Sequence, residues 1–296
     1  MILVTGGTGF IGKDLVKELA KKDDVRILSR KPLNGNYDFV KGDITDFETV
    51  KKATKDVDVV YHLAVHGDHL APYTDLYKVN VLGTQNVIEA AIKNKVKKVV
   101  YTSSLATEVK VMTPYGISKR EAEKKAKSFW DQIEIPMIKP PFVYSEEKLS
   151  ILKSVNFFPM INKPISLHLV YKKALLSTFV SAAQRGKSKI YTVVDKGPIS
   201  SHKLYSAIME ELDKKPTYIP HQLVNLGLGI SYPIKYAFKL IHKKPPITPE
   251  LIKNILQDRS FDSKLATKEL GYKPVDTEET FRKIIRDFKG KTKEAA

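Results

Sequence analysis

The chain has 296 residues, 42% of them apolar, a formal net charge of +17 and no cysteine. That length buries one large core or two unequal ones, and disulfides and thiolate chemistry are excluded. Lysines fall in scattered pairs such as Lys21-Lys22 and Lys97-Lys98, and arginine is scarce, so the charge reads as solvated surface with no nucleic-acid face.

Met1-Ile2-Leu3-Val4 is a short apolar run leading into Thr5-Gly6-Gly7-Thr8-Gly9-Phe10-Ile11-Gly12. Leu15, Val16 and Leu19 follow at helical spacing. Strand, glycine turn and helix in that order predict a dinucleotide site. Glycines let the backbone approach a pyrophosphate, whose charge then meets unpaired N–H groups at the helix start. A core strand at the N-terminus leaves no room for a signal sequence, which predicts a cytoplasmic protein.

Val25–Ser29 reads as a second parallel strand, ending beside the adenosine ribose of such a fold. Ser29, Arg30 and Lys31 stand there in place of the acid that binds a 2′-hydroxyl. Two cations and a hydroxyl suit a 2′-phosphate and favour NADP over NAD; a plain solvated loop is the alternative. Residues 39–44 predict a third strand, with Asp43 and Ile44 placed to meet the adenine, unless Asp43 only caps the next helix. Residues 57–64 predict a fourth strand, whose end at Leu63, Ala64 and Val65 runs beneath the cofactor. His62, His66 and His69 lack the spacing of a metal site. Residues 80–91 predict a helix, 96–104 a fifth strand ending in hydroxyls, 113–123 a helix start, and 133–138 a sixth strand stopped by Pro140-Pro141. Strands alternating with helices predict an α/β fold with a doubly wound parallel sheet.

Tyr-x-x-x-Lys occurs three times, at Tyr37/Lys41, Tyr115/Lys119 and Tyr144/Lys148. Only Tyr115/Lys119 begins a helix directly after a strand ending in Thr102-Ser103-Ser104. Together with TGGTGFIG, Gly42-Asp43-Ile44, the HLA of residues 62–64, NVLGTQNVIEAA, YGISK and Lys139-Pro140-Pro141, this set resembles the extended short-chain dehydrogenase/reductase family, the NAD-dependent epimerase/dehydratase group. Asp262 to Pro274 is similar to that family's closing motif.

The resemblance implies a Rossmann domain over residues 1–141, with returns to it around 165–195, and a smaller C-terminal α/β substrate domain over most of 142–296. It implies hydride transfer between a nicotinamide and a secondary alcohol or ketone carbon. Ser104 would orient the substrate oxygen, Tyr115 act as acid/base, and Lys119 hold the nicotinamide ribose and draw down the tyrosine pKa. Asn80 would support the site, and Pro140, Phe142 and Val143 would line the nicotinamide end. The alternatives are a nucleotide-sugar epimerase or dehydratase with retained cofactor, and a non-catalytic dinucleotide sensor. A small-molecule substrate and a homodimer through the helices near Asn80 and Tyr115 are also implied.

The departures from the family are Lys139 in place of arginine, Val143-Tyr144-Ser145-Glu146-Glu147 without a glycine turn, and Val170-Tyr171-Lys172-Lys173 in place of an acidic pair. They read as changes on the substrate side. Residues 221–241 are unusually apolar and predict two short helices, either lidding the pocket or dipping into an anionic membrane surface. This segment resembles the dihydroflavonol-reductase and 3β-hydroxysteroid-dehydrogenase branch.

Overall fold

The first strand, β1 (Ile2–Thr5), is buried along its whole length. Its side chains alternate, Ile2 and Val4 packing into one core and Leu3 into another, so helices must cover both faces of the sheet. The structure is a computed structural model and describes residues 1–148, 160–241 and 243–294. After α1 (Gly12–Leu19) come β2 (Val25–Ser29), β3 (Asp38–Lys41), α2 (Phe47–Ala53) and β4 (Val59–His62). Next are α3 (Tyr73–Leu76), α4 (Gly83–Lys93), β5 (Lys98–Thr102), α5 (Pro114–Lys127) and β6 (Met137–Lys139). The sixth strand starts later than predicted because Pro136 lacks an N–H; the approach is held by a single bridge from Glu134 to Lys98.

The next strands are β7 (Phe142–Tyr144), β8 (Met160–Ile161), β9 (Ser166–Leu167), β10 (Leu169–Tyr171) and β11 (Ile190–Thr192). Helix α6 (Lys172–Arg185) lies between the last two. The main sheet is parallel and runs β11-β6-β5-β4-β1-β2-β3, a doubly wound α/β arrangement. The order reverses between β1 and β4, and in such a sheet ligands bind at the carboxyl ends of the strands beside that reversal.

On one face α1 and α6 pack Leu15, Val16, Leu175 and Phe179 against Ile2 and Val4. On the other, α2, α4 and α5 bring Val50, Val87, Ile88 and Ala122 to Leu3, Val60 and Val99. The remaining strands and α-helices are β12 (Ile199–Ser200), α7 (Ser201–Glu211), β13 (Tyr218–Ile219), α8 (Gln222–Leu240), α9 (Pro249–Ile255) and α10 (Thr277–Glu294). Here α7 and α10 close a third core around Tyr144, Leu169, Ile208 and Ile285.

Two predicted elements change. Residues 221–241 form one helix, α8, where two were expected, and it runs straight through Pro233. Pro233 lacks the N–H that would bond to the Gly229 carbonyl, so the helix continues with that bond missing. The predicted start of the next helix at Asn80 is a π turn, Tyr77–Leu82, inserted between α3 and α4. Such bulges are frequent at functional sites, and Asn80 is buried within this one.

The departures at residues 143–147 and 170–173 answer each other. Strands β7 and β10 pair in parallel, Tyr144 opposite Tyr171. Glu146 accepts from Lys173 at 2.7 Å and from the Tyr171 hydroxyl at 2.6 Å. Glu147 pairs with Lys172 at 3.2 Å and with Lys13 of α1 at 2.8 Å, and Lys172 also meets Asp14. The lysine pair replacing the acid thus has its acids in the turn just after β7, and Lys172 and Glu147 also hold α1. Read from the sequence as substrate-side changes, these residues are engaged with one another.

Candidate active site

The glycine turn is built so that side chains are sterically excluded. Gly6 has a φ of +72°, and a Cβ there would lie 2.6 Å from the Ala64 nitrogen. A Cβ on Gly12 would lie 2.1 Å from the Gly6 carbonyl oxygen. The Gly9 N–H closes the turn onto that same carbonyl at 2.9 Å. Backbone and the start of α1 are therefore bare toward a cleft of about 1200 Å³, where Gly6, Thr8 and Gly9 face Leu63, Ala64 and Val65. This cradle fits the pyrophosphate of a dinucleotide.

Ser29, Arg30, Lys31, Asp43 and Ile44 line the far end of that cleft. Arg30 is 83% exposed and only 4.0 Å from Asp43, a loose pair that leaves the guanidinium free to meet an anion. The Ser29 hydroxyl donates to the Lys31 carbonyl. Asp43 accepts from the Thr45 N–H at 3.0 Å, while Asp46, not Asp43, caps α2. Ile44 is 4% exposed, its side chain filling the space over Gly83.

A second cleft, about 580 Å³, shares Gly6, Gly9, Leu63 and Val65 with the first. Phe10, Ile11 and Gly12 enter it from the turn, Ser104, Tyr115 and Lys119 from β5 and α5, and Pro140, Phe142 and Val143 from β6 and β7. Thr113 caps α5, its hydroxyl accepting from the Gly116 N–H at 3.4 Å, with Pro114 in the first turn. That cap sets Tyr115 at the cleft with Ser104 beside it.

Burial pushes the Tyr115 phenol above its usual range, and Ser104 pulls it down only in part. Sequence reasoning expected the ammonium one helical turn away to lower this pKa; the shift is upward, with burial its largest cause. The Lys119 Nζ donates to the Tyr101 hydroxyl and the Thr102 carbonyl, both at 2.8 Å. Burial brings Lys119 down to about 7, with Glu123 opposing.

Asn80 lines neither cleft. It is buried, accepts from the His66 N–H at 2.8 Å, and donates to the His66 carbonyl at 3.1 Å and the Ser118 hydroxyl at 2.9 Å. Ser118 in turn donates to the Tyr115 carbonyl at 2.8 Å. One amide ties the loop after β4 to the helix of Tyr115.

His62 is the companion bolt. The Thr84 hydroxyl donates to the Asn80 carbonyl at 2.7 Å, so it accepts from His62 Nε2 at 2.9 Å, and Nδ1 accepts from Thr5 at 2.7 Å. Burial drops this imidazole to about 3, with the Lys119 charge adding to it. It is therefore a neutral structural histidine at ordinary pH. His69 lies in the cleft, its ring 4.6 Å from that of Tyr115 and its Nδ1 2.9 Å from the Thr113 hydroxyl.

Sequence reasoning missed the far wall. Helix α9 brings Leu251, Asn254 and Ile255, and the segment after it brings Arg259. The Arg259 guanidinium donates to the Asn254 carbonyl and side chain, each at 3.0 Å, while its Nε is buried with no partner. No carboxylate pairs with it among the described residues. The one available signal was an arginine, in an arginine-poor chain, just ahead of the closing motif.

A nucleotide cradle continuous with a Ser-Tyr-Lys cleft defines a dinucleotide-dependent enzyme. The chain belongs to the NAD dependent epimerase/dehydratase family, whose model matches residues 2–150, and it is an NAD(P)-dependent enzyme of the extended short-chain dehydrogenase/reductase type. It is 25% identical over 255 residues to the N-acetyl-alpha-D-glucosaminyl-diphospho-ditrans,octacis-undecaprenol 4-epimerase of Escherichia coli O157:H7, covering 76% of this chain and 77% of that one. It is 34% identical over 114 residues to the 3 beta-hydroxysteroid dehydrogenase/Delta 5-->4-isomerase of Vaccinia virus (strain Copenhagen), covering 34% of this chain and 33% of the relative. Among solved structures, the UDP-glucose 4-epimerase of Thermotoga maritima has the same fold, with a TM-score of 0.76, 20% identity and coverage of 98% and 99%.

Proposed function

We propose that this enzyme reduces a ketone to a secondary alcohol, or the reverse, with Ser104, Tyr115 and Lys119 as its catalytic residues and NADP preferred. The bound nicotinamide supplies or accepts the hydride. Tyr115, protonated at neutral pH because burial raises it, gives its proton to the substrate oxygen in reduction and takes it back in oxidation. Ser104, which lines the cleft with Tyr115, holds that oxygen in line. Lys119, brought down to about 7 by burial, holds the ribose and biases the tyrosine proton. Pro140, Phe142 and Val143 shield the nicotinamide face from water.

The observation that carries this reading is the convergence of Ser104, Tyr115 and Lys119 on a cleft that shares its floor with the glycine cradle. The NADP preference rests on Arg30, exposed and weakly paired at the ribose end. Titrating the protein with NADPH and NADH, followed by fluorescence, tests it. Arg30→Ala should weaken NADPH binding about tenfold or more, the loss of one charge-assisted contact, and leave NADH binding unchanged. Equal loss for both cofactors would move the 2′-phosphate contact away from Arg30.

A second reading, epimerisation of a diphospho-linked sugar with retained cofactor, is favoured by Arg259. A guanidinium without a carboxylate in the substrate cleft suits an anionic group, and the named Escherichia coli relative acts on a diphospho-linked sugar. Protein that arrives with nucleotide bound and interconverts UDP-glucose and UDP-galactose would select this reading.

A cytoplasmic homodimer completes the proposal. Tyr73, Tyr77, Leu82 and Ile117 expose apolar surface on the helices near Asn80 and Tyr115, and light scattering on the purified protein would measure the dimer.

A further inference from the structure

Helix α8 has the reverse of a soluble protein's usual pattern. Its inward stripe is narrow, and Ser231 is its one buried residue. Leu226 is 60% exposed, Ile230 50%, Tyr236 65% and Leu240 66%, and Ile241 just beyond is exposed as well. Scattered single apolar residues on a surface are ordinary, but a run along one whole helix marks a contact surface.

The charge around it points to one kind of partner. From His221 to Thr248 the chain has no Asp or Glu and has four lysines, Lys235, Lys239, Lys243 and Lys244. Lys235 and Lys244 are held by Glu250 and Asp68. Lys239 and Lys243, at the end of the apolar run, have no carboxylate partner among the described residues. An apolar helix face with cations at its border suits the interface of an anionic bilayer, where the side chains enter the acyl boundary and the ammonium groups stay at the headgroups. Among the described residues no helix is long and apolar enough to cross a membrane, so the geometry is that of a helix lying on the surface.

We propose that α8 docks this enzyme on anionic phospholipid membranes, with Lys239 and Lys243 meeting the headgroups and Leu226, Ile230 and Leu240 entering the lipid. Docking sets the cleft beside the bilayer, because α9 packs on α8 through the 2.6 Å Lys235–Glu250 pair and carries Leu251 and Ile255 into the cleft. Ile255 is itself 55% exposed. This inference is independent of which reaction the cleft performs.

Flotation of the full chain with vesicles of phosphatidylcholine and phosphatidylglycerol, two parts to one, tests it against vesicles of phosphatidylcholine alone. The chain should float with the anionic vesicles and not with the neutral ones. Leu226→Ser with Ile230→Ser, which keeps every charge, should lower the partition coefficient by more than about tenfold. Lys239→Gln with Lys243→Gln should lower it about thirtyfold. Circular dichroism and the NADPH titration should match the parent for both pairs.

Failure to float with anionic vesicles, or equal flotation with neutral ones, overturns the proposal. So does undiminished flotation of the serine pair, which would reduce the binding to diffuse attraction by the net charge. A solution dimer that the serine pair splits would assign the face to a second copy of the chain and overturn it equally.

Discussion

Tyr115→Phe should lower kcat about a thousandfold on any substrate the enzyme turns over while leaving cofactor affinity and thermal stability close to those of the parent. In the proposed mechanism this hydroxyl exchanges the proton with the substrate oxygen, and a positioned acid/base contributes roughly 10²–10⁴. The ring would remain, so its packing against His69 at 4.6 Å survives. The sign of the pH dependence follows from the groups around it. Burial raises the phenol, so alcohol oxidation, which needs tyrosinate, should accelerate as pH rises, and ketone reduction should slow once the phenol ionises. Lys119, brought down to about 7 by burial, loses its charge above neutrality and so works against tyrosinate there. The oxidation profile should therefore climb gradually and not break sharply near neutral pH. In Tyr115→Phe the residual rate should lose this dependence. Steady-state rates across pH for both proteins, with NADPH titration as the check on binding, would measure it; a variant that keeps the parent's profile would assign the proton to another group.

What could be read ahead of the structure is what chemistry writes locally. A glycine turn between strand and helix, or a tyrosine and lysine four residues apart at a capped helix start, declares itself within a dozen residues. Arg259 does not, because it reaches the cleft only after α9 has folded back across the strand ends, 144 positions beyond Tyr115. The paired departures were misread for the same reason. Glu146 and Glu147 look like a lost glycine turn, and Lys172 and Lys173 like a lost acid, until β7 and β10 lie side by side. Helix α8 failed differently: a proline normally ends a helix, and nothing local told that this one would continue through Pro233. Its apolar outer face was legible as composition, but only the fold shows that this face turns away from the core. Buried polar wiring is the least legible of all, since Asn80 and His62 act through partners on four separate elements.

Lys139→Met should destabilise the protein by about 3 kcal/mol, the order of cost for leaving one member of a buried ion pair alone. Lys139 is 2% exposed and holds Glu123 at 2.8 Å and Glu108 at 2.5 Å. Glu123 also accepts from the Ser103 hydroxyl at 2.9 Å and pairs with Lys127 at 3.0 Å. Burial works to raise the Glu123 carboxyl, and these partners together bring it below its ordinary value. A carboxyl lowered in the folded state adds stability that is present above its unfolded pKa and is lost as pH falls through the folded one. The gap between parent and variant should therefore be widest at neutral pH and shrink on acidification below about pH 4.5, the ordinary glutamate value. Denaturant melts at several pH values would show this, and a deficit independent of pH would mean that lost packing, not lost charge, is the cause. Lys139→Arg, the residue the family resemblance leads one to expect here, should recover most of the stability, because a guanidinium offers both acids a donor. The consequence extends into the cleft. Ser103 adjoins Ser104, and Glu123 lies one turn beyond Lys119 on α5, where its charge props up the lysine's pKa. In Lys139→Met, Glu123 takes up a proton more readily, and at the pH where it does so Lys119 loses that support.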